Sequence, residues 1–274
     1  MRVENFIQQI ERKIMASDSV IYLCINLPWA EERRNSITAQ AERVGIEVQF
    51  VEAIAGKDLP AEVPEYHREE RAKLYPKDMT VNEIACVLSH MKAMRTFLES
   101  GAKYGVVLED DALLAENFAA GIREVTQHLS GWEMAKLNTD DNSKLYPIGD
   151  EGGELTRAVF PKKLLWVAVG WLYTRRGAER MLEALQTFTL PADVQIGHYI
   201  LSCRIPTIGI SPSLVTTSDP QSLKSTIGTA ECPRITPRVR RTPLQFIRYK
   251  LSIWRVSLGK QSMRRMLRRC IRRS

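Results

Sequence analysis

The sequence lacks the features that would place a protein in a membrane or outside the cell. No stretch approaches the roughly 18 consecutive apolar residues of a membrane span. The first residues carry charges where a signal peptide has an apolar segment. The five cysteines form no CxxC pair and lie far apart, at Cys24, Cys86, Cys203, Cys232 and Cys270. Isolated cysteines are typical of a reducing compartment, so we expect a cytoplasmic protein that is not exported by the usual signal.

Acidic residues are absent after Glu231, although the chain before it is mildly acidic. Residues 232–274 carry fourteen basic residues, whereas residues 1–231 carry 25 basic and 32 acidic ones. This division predicts a globular domain over residues 1–231 and a basic amphipathic C-terminal extension over residues 232–274. Apolar residues at helical spacing within the extension favour an interfacial helix on anionic lipid. The alternatives are a tail packed on the body, a solvated arm and a nucleic-acid-binding segment.

Alternating apolar and polar segments predict an α/β fold. The predicted strands are residues 20–27, 47–53, 104–108 and 133–137, and the predicted helices are residues 31–44, 80–101, 113–129, 175–187 and 194–203. Thr80 followed by Glu83 is typical of a helix capping box. Residues 55–79 are expected to form a long surface excursion, and residues 138–161 a loop. This order favours a Rossmann-like, mostly parallel sheet with helices on both faces.

Three adjacent carboxylates, Glu109, Asp110 and Asp111, follow the apolar strand predicted at 104–108. Ligands of open α/β sheets bind outside the carboxyl ends of the strands. Neighbouring carboxylates repel one another unless a cation lies between them, and their oxygens suit manganese or magnesium. The carboxylates therefore predict a divalent metal site that also meets substrate phosphates. The alternative is a solvated loop in which Asp110 or Asp111 caps the next helix.

Several segments, taken in order, resemble the family 25 glycosyltransferases. They read CINLPWAEERRNSI, FVEAIAGKDLP, VNEIACVLSHMKAM and YGVVLEDDALL, followed by VGWLYTRRGAERML, LPADVQI and ISPSLVTT. That family includes bacterial lipooligosaccharide galactosyltransferases and is similar to the collagen galactosyltransferase domains of animals. The resemblance covers roughly residues 19–218, and Ala85 and Ala192 depart from its usual pattern.

The resemblance implies a fold, a reaction and a cofactor. It implies a GT-A type fold, a UDP-sugar donor (often UDP-galactose), manganese or magnesium, and inversion at the anomeric carbon. Together with the acidic cluster, it indicates that Glu109 and Asp111 hold the metal and that Asp110 contacts the donor. The expected product is a hexosylated, lipid-linked saccharide such as lipooligosaccharide, made by an enzyme peripheral to the inner face of the cytoplasmic membrane. The alternatives are another metal- and nucleotide-dependent transferase, or a non-enzymatic adaptor acting through the tail.

Three further residues are candidates for holding the donor, and each has a structural alternative. Asn26 and Arg33 follow the first strand, where a guanidinium can bind a diphosphate, but they also fit a solvated helix start. His90 belongs to the SH pair that lies near the donor site in the family, although its apolar neighbours also fit a buried core histidine.

Asp193 is the candidate catalytic base. An inverting transferase needs a carboxylate on the acceptor side to take the proton of the attacking hydroxyl. Asp193 also fits a helix cap, and Asp140 and Asp141 are its rivals as the base. Trp171 is a candidate acceptor platform but fits a core tryptophan better.

Overall fold

A central eight-stranded sheet organises the protein, for which a computed structural model describes residues 19–139, 145–152, 155–161, 168–217 and 242–273. The strands, in chain order, are β1 Val20–Asn26, β2 Val48–Glu52, β3 Tyr104–Glu109, β4 Ala112–Leu114, β5 Leu129–Ser130, β6 Met134–Lys136, β7 Leu145–Gly152, β8 Arg157–Pro161, β9 Gly170–Thr174, β10 Thr207–Ser211, β11 Val215–Thr217 and β12 Arg272–Arg273. The central sheet has the order β2-β1-β3-β9-β6-β10-β8-β7.

The helices are α1 Glu31–Val44, α2 Arg68–Leu74, α3 Val81–Glu99, α4 Phe118–His128, α5 Arg175–Leu185, α6 Ala192–Ser202 and α7 Pro243–Cys270, with a 3₁₀ turn at Gly56–Asp58. Helix α3 begins with the predicted capping box: Glu83 N donates to Thr80 Oγ1 at 3.2 Å, and Thr80 N donates to Glu83 Oε2 at 2.8 Å. Helix α1 ends at Gly45, which has a left-handed φ of 71°. No described helix is apolar and long enough to span a bilayer.

The predicted mostly parallel sheet is confirmed in outline, with two reversed strands, of which one lies in its centre. Strands β2, β1, β3, β6, β10 and β7 run in one direction, and β9 and β8 run in the other. The reversed strand β9 lies between β3 and β6, so its first residue, Gly170, pairs with Leu108 near the end of β3. The start of β9 therefore lies at the sheet edge where β3 ends.

Helices cover both faces of the sheet, as the sequence predicts. Gly105 faces α3, because a Cβ atom at this glycine would lie 2.4 Å from the Phe97 ring. The preceding Tyr104 faces α4, where its hydroxyl donates to the Thr126 carbonyl oxygen at 3.2 Å. Successive strand residues point to opposite faces, so α3 and α4 lie on opposite sides of β3.

Two predicted segments differ in the structure. The helix predicted over 113–129 begins only at Phe118, because residues 112–114 form β4 and pair with β11. The predicted loop over 138–161 contains β7 and β8, which form an antiparallel pair at one edge of the sheet. The first difference arises from pairing with the distant strand β11. The second arises from a local pair of strands that joins the sheet because β8 pairs with the distant strand β10, and local composition reports neither distant contact.

The basic extension contains a helix, α7, that contacts the rest of the protein in both halves. In its N-terminal half, Gln245 Nε2 donates to the Ala72 carbonyl oxygen of α2 at 2.9 Å. Met263, Leu267 and Ile271 are buried, with exposed fractions of 2%, 0% and 6%. Beyond the helix, β12 pairs with β5 next to Gly131, where a Cβ would meet the Cys270 carbonyl oxygen at 2.0 Å. Residues 263–271 thus contribute buried side chains to the core, and residues 272–273 pair with β5.

Candidate functional site

A cavity of about 310 Å³ lies beside the carboxyl ends of β1 and β3. Its walls come from the segment after β1, the loop after β2, helix α3 and the Glu109–Asp111 cluster. A larger cavity of about 860 Å³ includes the first residues of β1 and β3 and contains none of the predicted site residues. The smaller cavity is therefore the candidate site, because it brings the acidic cluster and His90 together.

The Asp110 carboxylate is held by the last residue of β1 and by a residue in the first turn of α1. Asn26 Nδ2 donates to Asp110 Oδ2 at 3.0 Å, and Arg33 Nη1 donates to Asp110 Oδ1 at 2.6 Å. Asn26 is 1% exposed, and its own Oδ1 accepts from Arg34 Nε at 3.2 Å. The structure thus brings together three residues predicted to bind the donor, and their contacts with one another orient the acidic cluster. Their contact with a donor stays a prediction.

His90 is buried, as the core-histidine alternative requires, yet it reaches the acidic cluster. The residue is 1% exposed, and its Nε2 lies 3.0 Å from Glu109 Oε1. Its Nδ1 is buried and has no hydrogen-bond partner among the described residues. Cys86 lies one helical turn earlier on α3, and the ligand atoms of Cys86, His90 and Glu109 all lie within 4.8 Å of one another. The three side chains form a group that can hold a metal ion.

Asp111 has the surroundings of a carboxylate that needs a cation. Burial, followed by the charge of Glu109, raises its pKa from 3.8 to about 6. Its Oδ1 atom is buried and has no partner among the described residues. A divalent cation between Asp111 and Glu109 would satisfy this oxygen and offset the repulsion between the two carboxylates, so these residues fit manganese or magnesium.

The wall of the cavity that faces β2 is fixed to α3 by two contacts. Ser89 Oγ accepts from Ile54 N at 2.9 Å and donates to the Ala85 carbonyl oxygen at 2.8 Å. A Cβ atom on Gly56 would lie 2.2 Å from Asn82 Oδ1, so only glycine allows the loop to approach the helix this closely. Ser89 and Gly56 therefore position the wall.

Trp29 and Lys57 also line the cavity, and the sequence interpretation missed both. Trp29 is 55% exposed, and Lys57 Nζ lies 4.7 Å from the centre of its ring. The signal that could have identified Trp29 is its position three residues after the end of β1, on the side of the sheet where ligands bind. An exposed aromatic face with a neighbouring ammonium group suits a nucleobase and its phosphates.

Asp193 lies in the first turn of α6 and contacts the helix backbone there. Its Oδ1 accepts from Val194 N at 2.8 Å, so the residue supports the helix start. The buried Gln195 orients this turn, because its Oε1 accepts from the backbone N atoms of Thr189 and Leu190. Trp171 is 1% exposed and belongs to the core.

Helix α6, which carries Asp193, packs against α3, which carries Cys86 and His90. Burial raises the pKa of the Cys86 thiol well above its usual value, and the charges of Glu109, Asp193 and Asp111 raise it further, in that order. Among the described residues, Glu109 and Asp111 line the cavity and Asp193 does not. The rival bases Asp140 and Asp141 lie outside the described residues.

Comparison with known proteins identifies the family. Residues 18–196 match the sequence model described as glycosyltransferase family 25 (LPS biosynthesis protein), about two thirds of the chain. The chain belongs to glycosyltransferase family 25. All of the predicted site residues, from Asn26 to Asp193, lie within the matched region.

Two curated relatives come from mosquitoes. A glycosyltransferase 25 family member of Aedes aegypti is 25% identical over 202 residues, which cover 66% of this chain and 30% of the relative. A glycosyltransferase 25 family member of Anopheles gambiae is 26% identical over 198 residues, with 64% and 30% covered. The chain thus matches less than a third of the length of these relatives.

Proposed function

We propose that this chain is an inverting glycosyltransferase of GT-A type that moves a hexose, galactose in the first instance, from a UDP-sugar to a lipid-linked saccharide such as lipooligosaccharide. The observation that carries the proposal is Asp111. It has an unpartnered buried oxygen and a raised pKa beside Glu109, at the end of β3 and on the wall of a 310 Å³ cavity. Family membership supports a nucleotide-sugar donor and a separate acceptor.

The cavity offers complementary groups for the base and the diphosphate of a UDP-sugar. Trp29 provides an aromatic face for the base, and Lys57 and Arg33 provide positive charge for the diphosphate. Asn26, Arg33, His90 and Asp110 hold the donor, and Glu109 and Asp111 hold the manganese or magnesium ion. When bound, that ion offsets the charge that develops on the departing diphosphate.

The acceptor side is assigned to Asp193. Inversion requires the acceptor hydroxyl to attack from the face opposite the leaving diphosphate, with a base taking its proton. Asp193 is a carboxylate on a different element, α6, which packs against the helix α3 that carries His90. Separate elements for base and metal ligands suit reaction on opposite faces of a sugar.

A panel of donors tests the proposed activity. UDP-galactose, UDP-glucose and their N-acetyl analogues are supplied with manganese and a saccharide acceptor, and released UDP is measured with and without EDTA. We expect metal-dependent release with one UDP-hexose, together with a metal-dependent rise in Tm when UDP is added. Stabilisation by nucleoside triphosphates but not by UDP-sugars would instead indicate another nucleotide-dependent transferase.

A lipid-linked acceptor is supported by an exposed apolar face of α7. Leu244, Ile247, Leu251, Trp254 and Leu258 alternate at spacings of three and four residues and have exposed fractions of 46–61%. Residues 243–270 contain eight basic and no acidic residues. This combination suits anionic lipid, whereas a second copy would bring two cationic helices together. This surface supports the proposal of a cytoplasmic enzyme that is peripheral to the inner face of the membrane.

Replacing Leu251 or Trp254 by glutamate is expected to weaken vesicle binding by about tenfold or more, because each change removes a large apolar side chain and adds a repelled charge. Co-sedimentation with vesicles that contain phosphatidylglycerol measures the effect, and binding should fall as salt rises. Leu155→Glu, at an exposed leucine outside α7, is the matched control. Equal binding by all variants, or loss of a dimer in place of lipid binding, would contradict membrane docking.

A further inference from the structure

The group of Cys86, His90 and Glu109 differs chemically from the two carboxylates assigned to manganese or magnesium. It offers a sulfur atom, a ring nitrogen and a carboxylate oxygen, all within 4.8 Å of one another. Cys86 and His90 are four residues apart on α3 and therefore share one face of the helix. Only Glu109 belongs to both sets.

The two sets of ligands favour different metals. Manganese and magnesium prefer oxygen, whereas thiolate and imidazole favour zinc and its analogue cobalt. Three protein ligands with one open position are typical of a zinc ion that remains accessible to small molecules. Cys86, His90 and Glu109 all border the 310 Å³ cavity, so an ion can reach them from solvent.

We propose that Cys86, His90 and Glu109 form a binding site for Zn²⁺ that competes with the activating manganese or magnesium for Glu109. On binding, the Cys86 thiol releases its proton to water and its sulfur bonds to zinc. The Glu109 oxygen exchanges its contact with His90 for a contact with the ion. Zinc thereby removes a ligand from the activating metal. The inhibition that follows rests on the proposed transferase function, whereas zinc binding does not.

The fixed position of α3 supports a preformed site. Ser89, between the two helix ligands, holds α3 to Ile54 through a 2.9 Å hydrogen bond. The capping box at Thr80 and Glu83 fixes the start of the same helix. Glu109 is the last residue of β3, and its backbone N donates to the Val169 carbonyl oxygen at 3.0 Å. The backbone positions of the three ligands are therefore set before an ion arrives.

Cobalt binding tests the site independently of activity. Co²⁺ is added to the full chain without manganese, and we expect a thiolate-to-cobalt charge-transfer band in the near ultraviolet that Zn²⁺ abolishes. Cys86→Ser should remove the band and weaken Zn²⁺ binding, measured by calorimetry, at least about tenfold. Cys203→Ser, which alters an exposed cysteine, is the matched control and should keep both.

Alkylation gives a second readout that needs no variant. The raised pKa of the Cys86 thiol makes its reaction with iodoacetamide slow, so labelling is followed over hours by mass spectrometry. It should slow further when Zn²⁺ is present and remain unchanged with Mn²⁺. A cobalt complex without a thiolate band, or equal Zn²⁺ affinity for the wild type and Cys86→Ser, overturns the proposal.

Inhibition of UDP release by Zn²⁺ tests whether the zinc site affects the proposed transferase activity. Zn²⁺ should reduce manganese-dependent UDP release by the wild type, and excess Mn²⁺ should restore it. The inhibiting Zn²⁺ concentration should rise for Cys86→Ser, relative to the activity of that variant without zinc. If no donor gives UDP release while the cobalt band is present, the transferase proposal fails and the zinc site stands.

Discussion

Asp111→Asn is expected to remove metal-dependent UDP release and at the same time to raise the Tm of the metal-free protein. The carboxylate has a folded-state pKa of about 6, against 3.8 for its ordinary value. A raised pKa means that the folded state binds the proton more tightly. The contribution of protonated Asp111 to the free energy of unfolding is therefore complete below pH 4 and is lost as the pH rises through 6. Asparagine cannot ionise and avoids this loss.

The size of the stability effect follows from the pKa difference and the partial exposure of the side chain. The shift of about two pKa units, reduced because solvent reaches part of the group, corresponds to about 1–2 kcal/mol, or about 2–6 °C in Tm. Scanning fluorimetry from pH 4 to pH 8, with and without manganese, measures it. The wild type should gain Tm with manganese above pH 6, and Asp111→Asn should not.

Asp110→Asn is the matched control for Asp111→Asn. This change weakens the charge-assisted contact with Arg33 at 2.6 Å, so it should lower the Tm at neutral pH. Changes in Tm of opposite sign at these adjacent positions would distinguish Asp111, a carboxylate without a cationic partner among the described residues, from Asp110, which is paired with Arg33. A manganese-dependent rise in Tm that survives Asp111→Asn would remove Asp111 from the metal site.

Asp193→Asn is expected to lower kcat by about 10²–10⁴, because the amide cannot take the acceptor proton. The Tm should change little, since the asparagine oxygen can still accept from Val194 N as Asp193 does now. The KM for the donor should also stay close to that of the wild type, because the base acts on the acceptor. Steady-state kinetics with varied donor and acceptor separate these constants.

Asp193→Ala provides the contrast, because alanine loses both the base and the contact with Val194 N. It should show the same fall in kcat together with a Tm lower by a few degrees, equivalent to roughly 1 kcal/mol. If Asp193→Asn keeps full turnover, the base lies elsewhere, and Asp140→Asn and Asp141→Asn become the variants to measure.

Helices and inner strands could be predicted because their signals are local. Thr80, Glu83 and Gly45 mark helix ends through contacts with residues three or four positions away. The apolar segments of β1 and β3 reflect burial on both faces of the sheet. The reversed direction of β9 has no such signal, because the apolar pattern of a buried strand does not depend on the direction in which the strand runs in the sheet. It depends on pairing with β3 and β6, which are distant in the chain.

The location of the candidate site could be predicted from the position of the acidic cluster at the end of a strand, but the contacts within the site could not. The acidic cluster follows a buried strand, and the carboxyl end of that strand borders a cavity, as expected. The proximity of Cys86 to Glu109 could not be predicted, because it depends on how α3 packs across the end of β3. Likewise, the contacts of Asp110 with Asn26 and Arg33 join residues 77 to 84 positions apart.

The pairing of β12 with β5 has a consequence for folding during synthesis. Arg272 lies opposite Ser130, and Ile271 is buried beside this pair. Both contacts join segments separated by about half of the chain, and contacts of this kind form late and slow the overall reaction. The core cannot be completed until the ribosome has produced residue 271. Nascent chains shorter than this should remain substrates for chaperones and proteases.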